Sequence, residues 1–107
     1  MINYHNEINP VTMLPGLIRR TLATSEKMML CEFTFEAGVR IPMHSHPHEQ
    51  VGYVVRGRVE MTIADETEIL TAGDSYCAPS NILHGALTLE STVIVDTFTP
   101  PREDYLK

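Results

Sequence analysis

The sequence predicts an all-β barrel built from short antiparallel strands. Apolar and polar residues alternate with a period of two rather than 3.6. Turn-forming residues recur at short intervals. No segment longer than about ten residues keeps a helical period. Short strands at even spacing between turn signals are the pattern of a sandwich or barrel.

Taken in order, Glu7 to Leu17 is expected to hold no more than a short turn. Glu32-Phe33-Thr34-Phe35-Glu36 alternates and predicts a half-buried strand, as does Arg58-Val59-Glu60-Met61-Thr62-Ile63. Gln50 to Val55 and Thr92 to Val95 are richer in β-branched residues and predict central strands. Breakers separate them: Pro15-Gly16, Gly38, Pro42, Pro47, Gly57, Ala64-Asp65-Glu66, Gly73-Asp74, Pro79 and Pro100-Pro101. No repeat, linker or low-complexity run divides the chain, so residues 1–107 are expected to form one domain.

A chain of 107 residues buries roughly two-thirds of its unfolded surface, enough to fold without disulfide staples. Acidic residues outnumber basic ones 14 to 8, giving a net charge of −6. With no lysine- or arginine-rich run, nucleic acid and anionic membrane are not expected partners. Cys31 and Cys77 both sit in apolar segments and are expected to be buried thiols. Met1 to Glu7 has neither a basic nor an apolar stretch, and no apolar run approaches the ~18 residues that span a bilayer. A cytoplasmic, reducing location is the expectation.

His44 and His46 are two apart, and on an extended strand such residues share a face. Gln50 continues that parity and can add a carbonyl oxygen. His84 follows the turn signal Pro79-Ser80-Asn81, at the head of another strand that a barrel would bring close. Three imidazole nitrogens and an amide oxygen suit one divalent first-row ion: Zn, Ni, Fe or Mn. A histidine-rich surface loop is the plainer alternative. His48 shares the parity, but Pro47 and Glu49 leave its direction open, with a place at the rim expected. Met28, Met29, Met43 and Met61 read as barrel packing and His5 as a surface residue.

This pattern resembles the cupin family in both of its motifs. The first is a glycine, five residues, His-x-His, three or four residues, a glutamate, six residues and a glycine. Here it reads Gly38, His44, His46, Gln50, Gly57. The second is a glycine, five residues, Pro-x-Gly, two residues, a histidine, three residues and an asparagine. Here it reads Gly73, Pro79, Asn81, His84, Thr88. The resemblance implies a jelly-roll barrel (a double-stranded β-helix) around a metal. Gln50 replaces the usual glutamate, Asn81 a glycine and Thr88 an asparagine. Asn81 is a mild change, because Asn tolerates positive φ. Gln50 is not mild. A neutral amide leaves the full double charge on the ion, making a stronger Lewis acid and favouring polarisation of an oxygen over oxygen chemistry.

More narrowly, Pro42, His44, His46-Pro47-His48-Glu49-Gln50-Val51-Gly52-Tyr53-Val54-Val55 and the ending Asp96 to Leu106 resemble the KdgF family of pectin-degradation cupins. That resemblance implies opening of 4,5-unsaturated uronates into linear keto-deoxyuronates. It places the metal ligands on His44, His46, Gln50 and His84, and the catalytic residues on Asp96, Phe98 and Arg102. The residues make chemical sense by themselves. Asp96 interrupts the apolar run Val93-Ile94-Val95 and shares the parity of Ile94 and Phe98. An ionisable group on an inner wall is costly unless partnered or functional, and it could pass a proton. Arg102 could take a carboxylate by a two-toothed contact. A small acidic sugar is thus the expected partner, and a homodimer the expected assembly. The alternatives are a metal-binding module without turnover and a metal-dependent dioxygenase.

Overall fold

A computed structural model describes residues 1–106, and its strands follow the period-two segments. They are β1 (Val11–Leu14), β2 (Leu17–Thr24), β3 (Met29–Phe35), β4 (Arg40–His44), β5 (Glu49–Arg56), β6 (Arg58–Ile63), β7 (Glu66–Thr71), β8 (Ser75–Ala78), β9 (His84–Thr88) and β10 (Thr92–Thr99). They form a six-stranded sheet in the order β1-β2-β3-β10-β5-β8 and a four-stranded sheet in the order β4-β9-β6-β7. The pairings are antiparallel, and the two sheets close into the jelly-roll barrel that the motifs led one to expect.

Alternation decides which side chains the sheets enclose. β3 buries Met29, Cys31, Phe33 and Phe35 and turns Leu30, Glu32 and Thr34 outward. β10 buries Ile94, Asp96 and Phe98 in the same way. Together with Val54, Val59 and Met61 these residues fill the space between the sheets. Each large apolar side chain buried there contributes roughly 1.5–3 kcal/mol. β5 is central, as expected, yet one of its faces is open: Val51, Tyr53 and Val55 are exposed.

Several expectations fail for identifiable reasons. Glu7 to Leu17 holds strand β1, paired with β2 through the Pro15-Gly16 turn. Four residues are too few to show a period. Cys77 is exposed because β8 is an edge strand and its outer face is uncovered. Met28 and Met43 are exposed, unlike buried Met29 and Met61. Thr88 is a structural residue: its hydroxyl donates to the Glu36 carbonyl at 2.7 Å and accepts from the Val39 amide at 3.0 Å, pinning the turn at Gly38. Among the described residues no helix is long and apolar enough to cross a membrane.

Candidate metal centre and pocket

His44, the last residue of β4, pairs directly with His84, the first residue of β9. Their ring centroids are 4.3 Å apart. After His44 the chain leaves the four-stranded sheet, crosses the end of the barrel and joins the six-stranded sheet at Glu49. His46 therefore sits in a crossover, and Gln50 on a different sheet. The shared parity expected of His44, His46 and Gln50 does not apply, because they do not lie on one strand. The ladder ends at His44 and resumes at Glu49, and Pro47, which has no N–H to give, lies within that break. Convergence comes from the crossover folding back over the barrel end. The Asn81 amide holds it by donating to the His46 carbonyl at 2.8 Å, and Asn81 adopts the expected positive φ, +65°.

Each of the three rings is oriented by a backbone carbonyl. His44 Nδ1 lies 3.0 Å from Pro42 O, His46 Nδ1 2.9 Å from His48 O, and His84 Nδ1 2.9 Å from Ile82 O. An imidazole that donates from Nδ1 carries its lone pair on Nε2. One potential ligand atom from each histidine falls within 4.8 Å of the others. Burial holds His46 and His84 below the usual histidine pKa, which keeps them neutral and available.

Two observations show that these residues fit a cation. His84 Nε2 is buried and has no hydrogen-bond partner. His46 Nε2 and Gln50 Oε1 stand 3.0 Å apart. With the His46 proton on Nδ1, both atoms are acceptors facing one another, an arrangement that a positive ion between them relieves. Three nitrogens and an oxygen are donors for a borderline first-row ion. His48 stands outside the three-histidine group; its carbonyl, not its ring, serves the site by holding His46.

His44 and His84 line a cavity of about 280 Å³, together with the polar side chains of Gln50, Tyr76, Asp96, Arg102 and Tyr105. Asp96 faces inward from β10 and is 4% exposed. It accepts a short hydrogen bond from the Tyr76 hydroxyl. Burial raises its carboxyl from 3.8 to about 6, with hydrogen bonding from Tyr76 and Gln50 pulling the other way. A carboxyl in that range can both take and return a proton near neutrality.

Arg102 lies flat over the Tyr105 ring, 4.0 Å from its centroid, and 5.3 Å from that of Phe98. Its terminal nitrogen donates to Asp104 at 3.2 Å, while its Nε is buried without a partner. Phe98, 1% exposed, packs edge-on against Phe33 and Tyr105 and forms the wall behind the guanidinium.

Tyr76 and Tyr105 were not foreseen, nor was Arg19, which is buried on the other side of Tyr105, 4.3 Å from its ring. Arg19 was legible from its parity with buried Leu17 on β2. No local pattern marks Tyr76.

The cupin-domain family model matches residues 31–97. Pectin degradation protein KdgF of Dickeya dadantii (strain 3937) is 38% identical over 93 residues, 85% of this chain and 84% of that protein. H2HPP isomerase of Bacillus subtilis is 40% identical over 73 residues, 58% of this chain but 30% of that protein. The solved structure of KdgF from Halomonas sp. superposes with a TM-score of 0.93 at 32% identity, covering 97% of this chain and 96% of the other. The paired sheets, the three gathered histidines and these likenesses agree: the chain belongs to the cupin family, in the company of KdgF.

Proposed function

We propose that this protein is a metal-dependent enzyme that opens 4,5-unsaturated uronates into linear keto-deoxyuronates. One observation carries the reading. A buried carboxyl, raised to about 6, shares a small cavity with His44 and His84 of the three-histidine cluster and with an arginine whose Nε has no partner. A cupin that only held a metal would need neither Asp96 nor Arg102. The likeness to a pectin degradation protein points to sugar acids, and the likeness to a protein named as an isomerase supports a reaction that relocates a proton.

His44, His46, Gln50 and His84 are the residues to hold the ion. A divalent cation held there supplies a Lewis acid for the substrate's oxygens. The remaining chemistry belongs to side chains. Arg102, held in place against the rings of Tyr105 and Phe98, receives the uronate carboxylate in a two-toothed contact. Asp96 takes the proton of the anomeric hydroxyl as the bond from that carbon to the ring oxygen breaks. The ring oxygen leaves as an enolate, and Asp96 returns that one proton to the carbon at the far end of the double bond, so that the enolate becomes a ketone. Nothing is oxidised, and the atoms balance within one substrate.

We take residues 1–107 as one domain acting in a reducing compartment, in keeping with unpaired Cys31 and Cys77. The exposed apolar row Val51, Tyr53 and Val55 on β5 supports a homodimer, which sedimentation would detect. The function is tested by supplying metal-loaded protein with unsaturated galacturonate and following loss of the conjugated double bond. Turnover supports the enzyme. No turnover on any unsaturated uronate, with metal bound, passes the site to a binding module. Oxygen uptake with Fe(II) passes it to a dioxygenase.

A further inference from the structure

Tyr76, Gly52 and Asp96 lie in one row across three neighbouring strands. Gly52 on β5 pairs with Tyr76 on β8 at one side and with Asp96 on β10 at the other. Adjacent strands are about 4.8 Å apart, so the backbones bearing the phenol and the carboxylate are roughly 9–10 Å apart. Tyr76 spans that gap by lying over Gly52. A Cβ at position 52 would collide with both the Tyr76 ring and Asp96 Oδ1. Their contact therefore depends on bare backbone in the strand between them.

Donor accounting gives the contact a direction. The oxygen of the Gln50 amide faces His46 Nε2 at 3.0 Å, so its nitrogen faces the other way. That nitrogen donates to the Tyr76 oxygen at 3.4 Å. An amide nitrogen has only protons to give, so the phenol receives here and its single proton goes to Asp96. The chain runs from Gln50 N–H to Tyr76 O–H to Asp96 Oδ1. A glutamate at position 50 would have two acceptor oxygens. It would compete with Asp96 for one phenolic proton, and the loser would face an oxygen with nothing between.

We infer that Tyr76 is a positioning residue that fixes Asp96 through one of its oxygens, and that this hydrogen-bond chain requires an amide at position 50 and a glycine at position 52. The inference rests on the reading of Asp96 as the proton carrier. It also gives Gln50 a second reason to be an amide, independent of the charge at the ion.

The test has two arms, both on the zinc-loaded protein. In the first, kcat and KM on unsaturated galacturonate are measured with zinc content for Tyr76→Phe, Gln50→Glu and the double variant. Tyr76→Phe keeps the ring and the packing. It should lower kcat roughly ten- to a hundredfold with KM and zinc affinity unchanged. Gln50→Glu should cost less in the Tyr76→Phe background than in the wild type, because the chain it disrupts is already cut. Strictly additive penalties, or a Tyr76→Phe variant with wild-type kcat, overturn the inference. The second arm needs no activity. The side-chain amide resonances of Gln50 should shift on Asp96→Asn, because Tyr76 transmits the change. Their response to Asp96→Asn should shrink once Tyr76 is phenylalanine, leaving only the direct interaction of Gln50 with Asp96. Gly52→Ala should reproduce the Tyr76→Phe spectrum at Gln50. Gln50 resonances blind to Asp96→Asn in the otherwise wild-type protein overturn the chain even if the enzyme works. A wild type without turnover that passes this arm removes the uronate reading and leaves the chain standing.

Discussion

The four-stranded sheet brings His44 and His84 to the site, while the six-stranded sheet brings Gln50, Tyr76 and Asp96, which hold one another. His46 sits in the crossover between them. The first wall is equipped to keep a cation and the second to move a proton. The cost differs too. Burial favours the uncharged rings of His46 and His84, whereas Asp96 is a buried carboxyl whose ionised form burial disfavours. The two walls should therefore fail separately under mutation.

The most severe break is on the cation side. His46→Ala should abolish binding of about one divalent ion per chain and all turnover with it, since three remaining donors leave the ion weakly held. Undiminished metal in that variant, by elemental analysis, would sink the site. On the proton side, Asp96→Asn should keep its metal and lose turnover by about 10²–10⁴. Loss of metal in that variant would mean that the two walls are not separable. Arg102→Ala should leave metal and proton transfer in place and raise KM, the loss of a charged contact being worth roughly 1.5–3 kcal/mol. A fall in kcat with KM unchanged would remove the carboxylate-clamp role.

The smallest effect is in stability. The folded pKa of Asp96, about 6, lies above its unfolded value near 3.8. The stability it contributes is therefore full below about 4 and is lost as pH rises through about 6. The whole change is worth at most about 3 kcal/mol. Metal-free Asp96→Asn should accordingly be more stable than metal-free wild type at pH 8, and the advantage should shrink as pH falls. Denaturant titrations at pH 8 and pH 5 read this directly. Comparing the two proteins cancels the histidines, which act in the opposite direction. A variant less stable than wild type at pH 8 would mean that the Tyr76 hydrogen bond outweighs burial.

How much of this was legible in the sequence follows from the range of each interaction. Alternation is local, so β3, β6 and the inward row Ile94, Asp96, Phe98 were readable. Motif spacing pointed to His44, His46, Gln50 and His84, of which the three histidines gather, but strand parity does not relate the first three. Parity holds only within one strand, and the chain changes sheets between His44 and Glu49. Cys77 and Met43 look apolar and interior by composition; whether a neighbour covers them is decided by the edge of a sheet, which no local pattern encodes. Tyr76 was invisible for the same reason. Its place depends on a glycine one strand away and a carboxyl two strands away, partners 24 and 20 positions distant in the chain.

The three carbonyls that hold the histidine Nδ1 atoms belong to Pro42, His48 and Ile82. Main-chain carbonyls do not change when a side chain is substituted. Over evolutionary time, therefore, ring orientation at this site is insulated from drift in the residues around it. Gln50 is anchored differently, through the side chain of Tyr76. A lineage retuning this site has its adjustable handle there, and a change at that handle is felt at Asp96.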